Sequence, residues 1–286
     1  MTISFTKMHG IGNDYILIDA REIDRDWSRL AVDICDRHFG VGGDGILLIR
    51  DSDVADCRMQ IYNPDGSEAE ACGNGIRMFS KYVVERGVVS APEDRLVVQT
   101  LGAVGEIELF RDNGSVSTVR ASMGPARLRP SQVPVALEDS PDPVIDHPLD
   151  LGDRTVPVTC LSMGNPHAVH FTDIPVDEFP LSDVGPRVER HPFFPARVNF
   201  EIVNIIDRGR VRARVWERGV GETLACGTGA CAIAVASRLH GFTDNPANVR
   251  LPGGTLVIDW DGEGEVFLSG PAEYVFTGVW EEPRAD

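Results

Sequence analysis

Apolar and polar residues alternate along most of this chain, and only a few stretches keep the three-and-four spacing of a helix. "SFTKMHGIGNDYILIDA" (4–20) reads as strand, glycine-rich turn and strand, "GILLIRDS" (45–52) as a buried strand, and "ADCRMQIYN" (55–63) as an alternating one. "DRDWSRLAVDICDRHFG" (24–40) puts Leu30 and Ile34 on one helix face and predicts a stop at Gly40. Beyond residue 94, "RLVVQT", "GEIELF" and "SVSTVRAS" are short strands separated by Asp, Asn and Gly turns. The segment 126–153, rich in Pro, Asp and Ser, reads first as a domain crossover and then as a long surface excursion. A second series follows: strands in "TVPVTCLSMGNPHAVHF" (155–171), "RVNFEIVNII" (197–206) and "RVRARVWERG" (210–219), a helix after Cys226, then strands to the end. Many strands with few helices predict two α+β units rather than a doubly wound sheet.

The chain also repeats itself. "YNPDGSEAEACGNGIRM" surrounds Cys72 and "VWERGVGETLACGTGACA" surrounds Cys226. With the cysteines superposed, Ala71 matches Ala225, Gly73 matches Gly227, Gly75 matches Gly229, and Glu68 matches Glu222. Helix-like segments follow both cysteines and stop at Gly87 and Gly241, and Asn13 and Asn165 precede their cysteines by similar distances. A twofold repeat predicts two pseudo-symmetric lobes whose Cys-Gly-x-Gly turns face a shared cleft.

Composition narrows the chemistry. At 286 residues, 42% hydrophobic and 25% charged, the chain can bury real cores. Its formal charge of −17 disfavours nucleic acid and anionic membranes as partners. No apolar run reaches the ~20 residues of a membrane span, and "MTISF" lacks signal-peptide character, so a cytoplasmic location is expected. The six cysteines then read as thiols, and no Cys-x-x-Cys pair is present.

A thiol at a helix N-terminus feels that end's partial positive charge, which favours the thiolate, and the exposed N–H groups beside it can hold a carboxylate. The duplicated setting of Cys72 and Cys226 selects this reading. Cys35, Cys57, Cys160 and Cys231 lack that setting and read as small buried hydrophobes. "GVGGDG" (40–45) fits a dinucleotide fingerprint as a string, but a helix precedes it and a strand follows, the wrong order. The phosphate-binding P-loop is absent. His167 and His170 would point to opposite faces of a strand, so no metal site is expected, although His167 beside Asn165 suits a polar site. Glu217 and Arg218 could be a solvated ion pair or could hold the charged ends of a zwitterion. The repeat aligns Glu217 with Asn63 and favours the second.

"MHGIGNDY", "NPDGSEAEACGNGIRM", "SMGNPHAV", "RVNF", "WERGVGETLACGTGACA" and "LPGGTLVIDW", in this order along nearly the whole chain, resemble the signatures of the diaminopimelate epimerases. The resemblance implies a cofactor-independent isomerase that interconverts LL- and meso-2,6-diaminopimelate for lysine and peptidoglycan synthesis, working as a homodimer. It implies two lobes, each a curled mixed or antiparallel sheet around a central helix, with the active site between them: residues 1–124, completed by 271–286, and residues 125–270. Carried onto matching positions, Cys72 and Cys226 are the acid/base pair. Asn13, Asn63, Asn165, Asn199, Glu217 and Arg218 hold the diamino-dicarboxylate substrate with Gly73, Asn74, Gly227 and Thr228, while His167 and Glu217 tune the thiols. Gly45 departs from members with glutamine there, so a substrate contact is lost or replaced.

Rival readings remain on the same residues. A proline or hydroxyproline racemase typically has Cys-Gly-His-Gly where this chain has Cys72-Gly73-Asn74-Gly75. A histidine racemase would keep most of these blocks. A dithiol redox sensor would use the same two cysteines.

Overall fold

The computed structural model describes residues 2–69, 72–137 and 142–281. Ala71, matched above to Ala225, lies outside them. The chain forms two compact units, one running to Ala121 and resuming at Gly270, the other spanning Ser122–Ser269.

In the first unit, β1 (Thr2–Gly10) and β2 (Asn13–Asp19) form an antiparallel hairpin. After α1 (Trp27–Cys35), β3 (Ile46–Arg50) returns parallel to β2, and β4 (Cys57–Tyr62) lies antiparallel to β3, followed by the short β5 (Glu68–Ala69). Helix α2 (Gly73–Glu85) then leads to β6 (Arg95–Gln99), parallel to β4, and on to β7 (Val104–Asp112) and β8 (Ser115–Pro125) in an antiparallel meander.

The second unit opens on β9 (Val144–Asp150), antiparallel to β10 (Thr155–Ser162), which forms a hairpin with β11 (Pro166–Phe171). After α3 (Leu181–Glu189), β12 (Asn199–Asp207) runs parallel to β11, then β13 (Arg210–Glu217) and β14 (Gly221–Thr223) follow antiparallel. Helix α4 (Gly227–Leu239) leads to β15 (Ala247–Leu251), parallel to β13, then β16 (Gly254–Asp259) and β17 (Glu265–Gly270). The chain returns to the first unit as β18 (Glu273–Glu281), antiparallel to β1. The same pairings recur in the same order and direction in both units, and β9 does for β10 what β18 does for β1.

Each unit is a curled mixed sheet around its central helix, an α+β fold. Helix α2 buries Ile76, Met78, Phe79 and Val83 among Met8, Leu17, Leu47, Met59, Leu96 and Val119. Helix α4 is buried continuously from Gly229 to Ser237 and packs on β10, β11, β12, β15 and β16. Its alanines let the strands approach the helix backbone, and an apolar surface all round is what a fully enclosed helix needs. Both helices stop in the same way. Val88 N–H bonds to Val83 C=O and Gly87 N–H to Val84 C=O; Phe242 and Gly241 repeat this on Ser237 and Arg238. Gly87 (φ +67°) and Gly241 (φ +69°) are the left-handed residues this cap demands.

Two readings are corrected, and one helix was not anticipated. The excursion at 126–153 contains β9, with Val144 and Leu149 buried; Ile145 and Asp146 together stand opposite one β10 residue between the pairs Val144–Cys160 and His147–Val158, and this bulge in β9 puts apolar residues five apart on the same side. Helix α3 is hidden in the sequence by Gly185 and Pro186, and that glycine is required because a Cβ would sit 2.6 Å from Cδ2 of the Trp216 indole. Helix α1 ends at Cys35 rather than near Gly40, because the Asp36 side chain accepts the N–H groups of His38 and Phe39 and turns the chain. Among the described residues no helix is long and apolar enough to cross a membrane.

Candidate active site

Cys72 is the N-cap of α2, extended at φ −146°, ψ 115°, and its Sγ accepts the Gly75 N–H at 3.2 Å. Asn13, at the start of β2, donates through Nδ2 to Asp44 Oδ2 (2.6 Å), which also takes the Asp14 N–H. That contact turns Asn13 Oδ1 towards α2, where it receives Asn74 Nδ2 at 3.0 Å and lies 4.0 Å from Cys72 Sγ. Asn74 is fixed in turn by Arg77, whose guanidinium donates to Asn74 Oδ1 (2.9 Å), Gly73 C=O (2.9 Å) and Pro271 C=O (3.2 Å). Arg77 has no exposed surface. Tyr15 lies beside Cys72, and charge on that sulfur together with burial pushes the phenol above its usual range. Asn63 is tied to its own turn through Ser67 Oγ (3.0 Å), while Ser28 of α1 holds Gly66 C=O of the same turn.

Gly45 lies against this cluster. At φ +154°, a Cβ there would meet Tyr62 C=O at 2.6 Å and Tyr15 Cε1 at 2.7 Å, so a side chain at this position has no room. Gly45→Ala is expected to destabilise the protein by about 1–3 kcal/mol. Urea denaturation checks this, and a change within the fit error would refute the packing argument.

Cys226 repeats the arrangement as N-cap of α4 at φ −132°, ψ 114°, with Gly229 N–H on Sγ at 3.4 Å and Thr228 Oγ1 at 3.5 Å. From Thr228 a hydrogen-bonded chain runs inward: Asn165 Nδ2 to Thr228 Oγ1 (3.3 Å), Asn165 Oδ1 to His167 Nε2 (3.0 Å), and His167 Nδ1 to Glu201 Oε1 (2.7 Å). A helix N-terminus favours the thiolate. Burial and the Glu217 charge outweigh it and push Cys226 well above the usual thiol range. Glu217 accepts from Thr223 Oγ1 at 2.5 Å, and burial raises its carboxyl as well.

The turn after Glu217 is anchored from several sides. Asn199 accepts the Arg218 N–H (2.9 Å) and donates to Pro166 C=O (2.9 Å), so it ties β11 to that turn. Buried Glu189, at the end of α3, accepts the Gly219 N–H (3.0 Å) and the Trp216 indole N–H (2.8 Å). The Arg218 guanidinium donates to Ala196 C=O at 3.1 Å.

Of the other residues weighed, His170 bonds to Pro157 C=O and joins no cluster with His167. Among the described residues no group of three or more His, Cys, Asp or Glu side chains is placed to hold a metal ion. Cys35, Cys57, Cys160 and Cys231 are buried, and burial pushes Cys35 and Cys57 up to about 12.

The family model described as "Diaminopimelate epimerase" matches residues 5–129 and 159–275. The chain belongs to the diaminopimelate epimerase family. It is 48% identical over 279 residues to the diaminopimelate epimerase of Pelotomaculum thermopropionicum, covering 96% of this chain and 98% of that one. Membership of this family makes the chain an isomerase. In fold it resembles a phenazine biosynthesis protein of the PhzF family from Bacillus anthracis (TM-score 0.70, 17% identity, 99% of this chain and 100% of that one). It also resembles a hydroxyproline epimerase from Agrobacterium vitis (TM-score 0.69, 15% identity, 97% and 92%).

The sequence reading of this epimerase missed Tyr15, Asp44, Arg77, Glu189 and Glu201. One carried a usable signal: Glu201 is an acidic residue inside the run "NFEIVNII", whereas Arg77 shares its helix face with Gly73, Asn74, Ser80 and Lys81 and reads as solvated. Buried charge is costly enough that such an acid marks a network.

Proposed function

We propose that this chain interconverts LL- and meso-2,6-diaminopimelate by a two-base reaction on its own thiols, without a cofactor, in the supply of lysine and peptidoglycan precursors. One observation carries the reading: two cysteines cap the central helices of a duplicated fold with the same backbone conformation and the same S···H–N contact to the third residue on. Inversion requires removing the α-proton on one side of the carbon and delivering another on the opposite side. One cysteine starts as thiolate and the other as thiol, and they exchange roles with the direction of reaction.

The α-proton is weakly acidic, so the carbanion needs help. The first N–H groups of α2 and α4, at Gly73, Asn74, Gly227 and Thr228, have no acceptor within their own helices. Set against the α-carboxylate, they would stabilise the developing negative charge. Asn13, Asn63, Asn165, Asn199, Glu217 and Arg218 would hold the remaining charged groups and select a diamino-dicarboxylate over a simple amino acid. His167 and Glu217 would set the Cys226 side.

The test incubates reduced protein with LL-diaminopimelate in D₂O, beside a panel of other amino acids including proline, hydroxyproline and histidine. Meso product carrying α-deuterium is expected from diaminopimelate alone. Absence of both deuterium and meso product would end the proposal, and faster exchange into another amino acid would reassign the substrate.

A further inference from the structure

The two halves of the repeat hold their thiols in one backbone frame but among different side chains. A Cβ on Gly75 would sit 3.5 Å from Cys72 Sγ and 3.3 Å from Leu47 Cδ2; a Cβ on Gly229 would sit 3.3 Å from Cys226 Sγ and 3.2 Å from Glu201 Oε1. The strand registers agree. Leu17 pairs with Leu47 and Val169 with Glu201, at equal distances along β2 and β11 from Asn13 and Asn165. Glu201 therefore stands in the second unit where Leu47 stands in the first. By the same alignment His167 replaces Tyr15, and Glu217 replaces Asn63.

Glu201 has no exposed surface, and among the described residues its Oε2 has no hydrogen-bond partner. The titratable groups facing it are His167 on β11, Cys160 on β10, Glu217 on β13 and Cys226 at the start of α4. A buried carboxyl with one unmatched oxygen is destabilising. Leu47 shows that the same frame closes with an apolar side chain at this position, so packing does not demand the acid.

We infer that Glu201 is a positioning residue that makes the two thiols unequal: it keeps the proton on Cys226 in the free protein. Cys72 is then the ready base for one direction, and the opposite direction starts from the less populated form with its thiolate on Cys226. The inference rests on the two-thiol reading above. Its physical basis is additive. Burial and Glu217 already disfavour charge on Cys226, and a second carboxyl across Gly229 disfavours it further. The first unit has Leu47 and Asn63 at the corresponding places, and neither carries charge.

The test is alkylation of the full chain by iodoacetamide from mildly acidic to alkaline pH, with each cysteine read separately by mass spectrometry. Glu201→Gln is expected to move the Cys226 midpoint to lower pH and raise its rate near neutrality about three- to tenfold, with the alkaline plateau unchanged. Glu201→Leu, which copies the first unit, should shift it in the same direction. The Cys72 profile should move by less than about twofold. An unmoved or raised Cys226 midpoint in Glu201→Gln would overturn the inference. So would a rise of the whole profile together with labelling of buried Cys160, because that pattern reports loosened packing. Alkylation does not depend on turnover, so a failure of the D₂O experiment would leave this result readable.

Discussion

Cys226→Ala is expected to lower inversion at least ~10³-fold in both directions, and Cys72→Ala to do the same. A reaction needing a proton acceptor on one side of a carbon and a donor on the other loses both directions when either is removed, because the two directions share one transition state. The variants should differ in what they retain. Each keeps one thiol, which can take and return the α-proton on its own side only, so residual deuterium exchange without inversion should be confined to one isomer, a different one for each variant. Folding does not confound the reading: Cys226 is a small buried side chain whose main structural contribution is one cap contact to Gly229, worth about 1 kcal/mol. Initial rates with LL- and meso-diaminopimelate in D₂O supply the check. Inversion by Cys226→Ala within tenfold of the parent rate would show that a single base suffices and would remove the two-thiol mechanism.

What was legible in the sequence is what backbone geometry imposes on it. A residue that caps a helix, the glycine three positions on that must fit beside its sulfur, and the left-handed glycine that ends the helix all leave fixed spacings. The repeat of Cys72–Gly87 in Cys226–Gly241 was therefore visible. Strand β9 was not, because an extra residue within it, between Val144 and His147, breaks the alternation that would reveal it. Nor was α3, whose Gly185 serves the Trp216 ring rather than its own helix. In the site, Asn13 and Asn165 stand at matching places in the repeat, but what orients them does not. Asp44 and Arg77 arrange Asn13 and Asn74, whereas His167 and Glu201 arrange Asn165. Asp44 and Glu201 are distant in the chain from the groups they hold, and all four partners differ between the halves, so no internal comparison exposes them. A sequence shows the conserved geometry of its own duplication more readily than the chemistry that has since separated the copies.

Arg77→Ala should produce the largest loss of stability at a single position near the site. The guanidinium is fully enclosed and supplies hydrogen to three acceptors: Gly73 C=O, Pro271 C=O and the Asn74 side chain. Alanine would leave those oxygens buried without these donors and open a cavity beside Gly10, whose absent side chain lets Arg77 Nη2 approach within 2.9 Å of where a Cβ would be. Three acceptors left without these donors, together with the cavity, cost about 3–5 kcal/mol, a large share of the roughly 5–15 kcal/mol that holds a typical protein folded. Lysine would not restore it, because one ammonium cannot reproduce the planar fork that reaches three separate oxygens. Since a chain of two units need not unfold in one step, native-state amide exchange is the proper readout. Amides of α2 should lose far more protection in Arg77→Ala than those of α4. Activity should fall further than the folded fraction does, because Asn74 and through it Asn13 lose their fixed orientation beside Cys72. Equal protection in α2 of variant and parent would mean that the buried guanidinium contributes no net stability and that the Cys72 cluster is held by Asp44 alone.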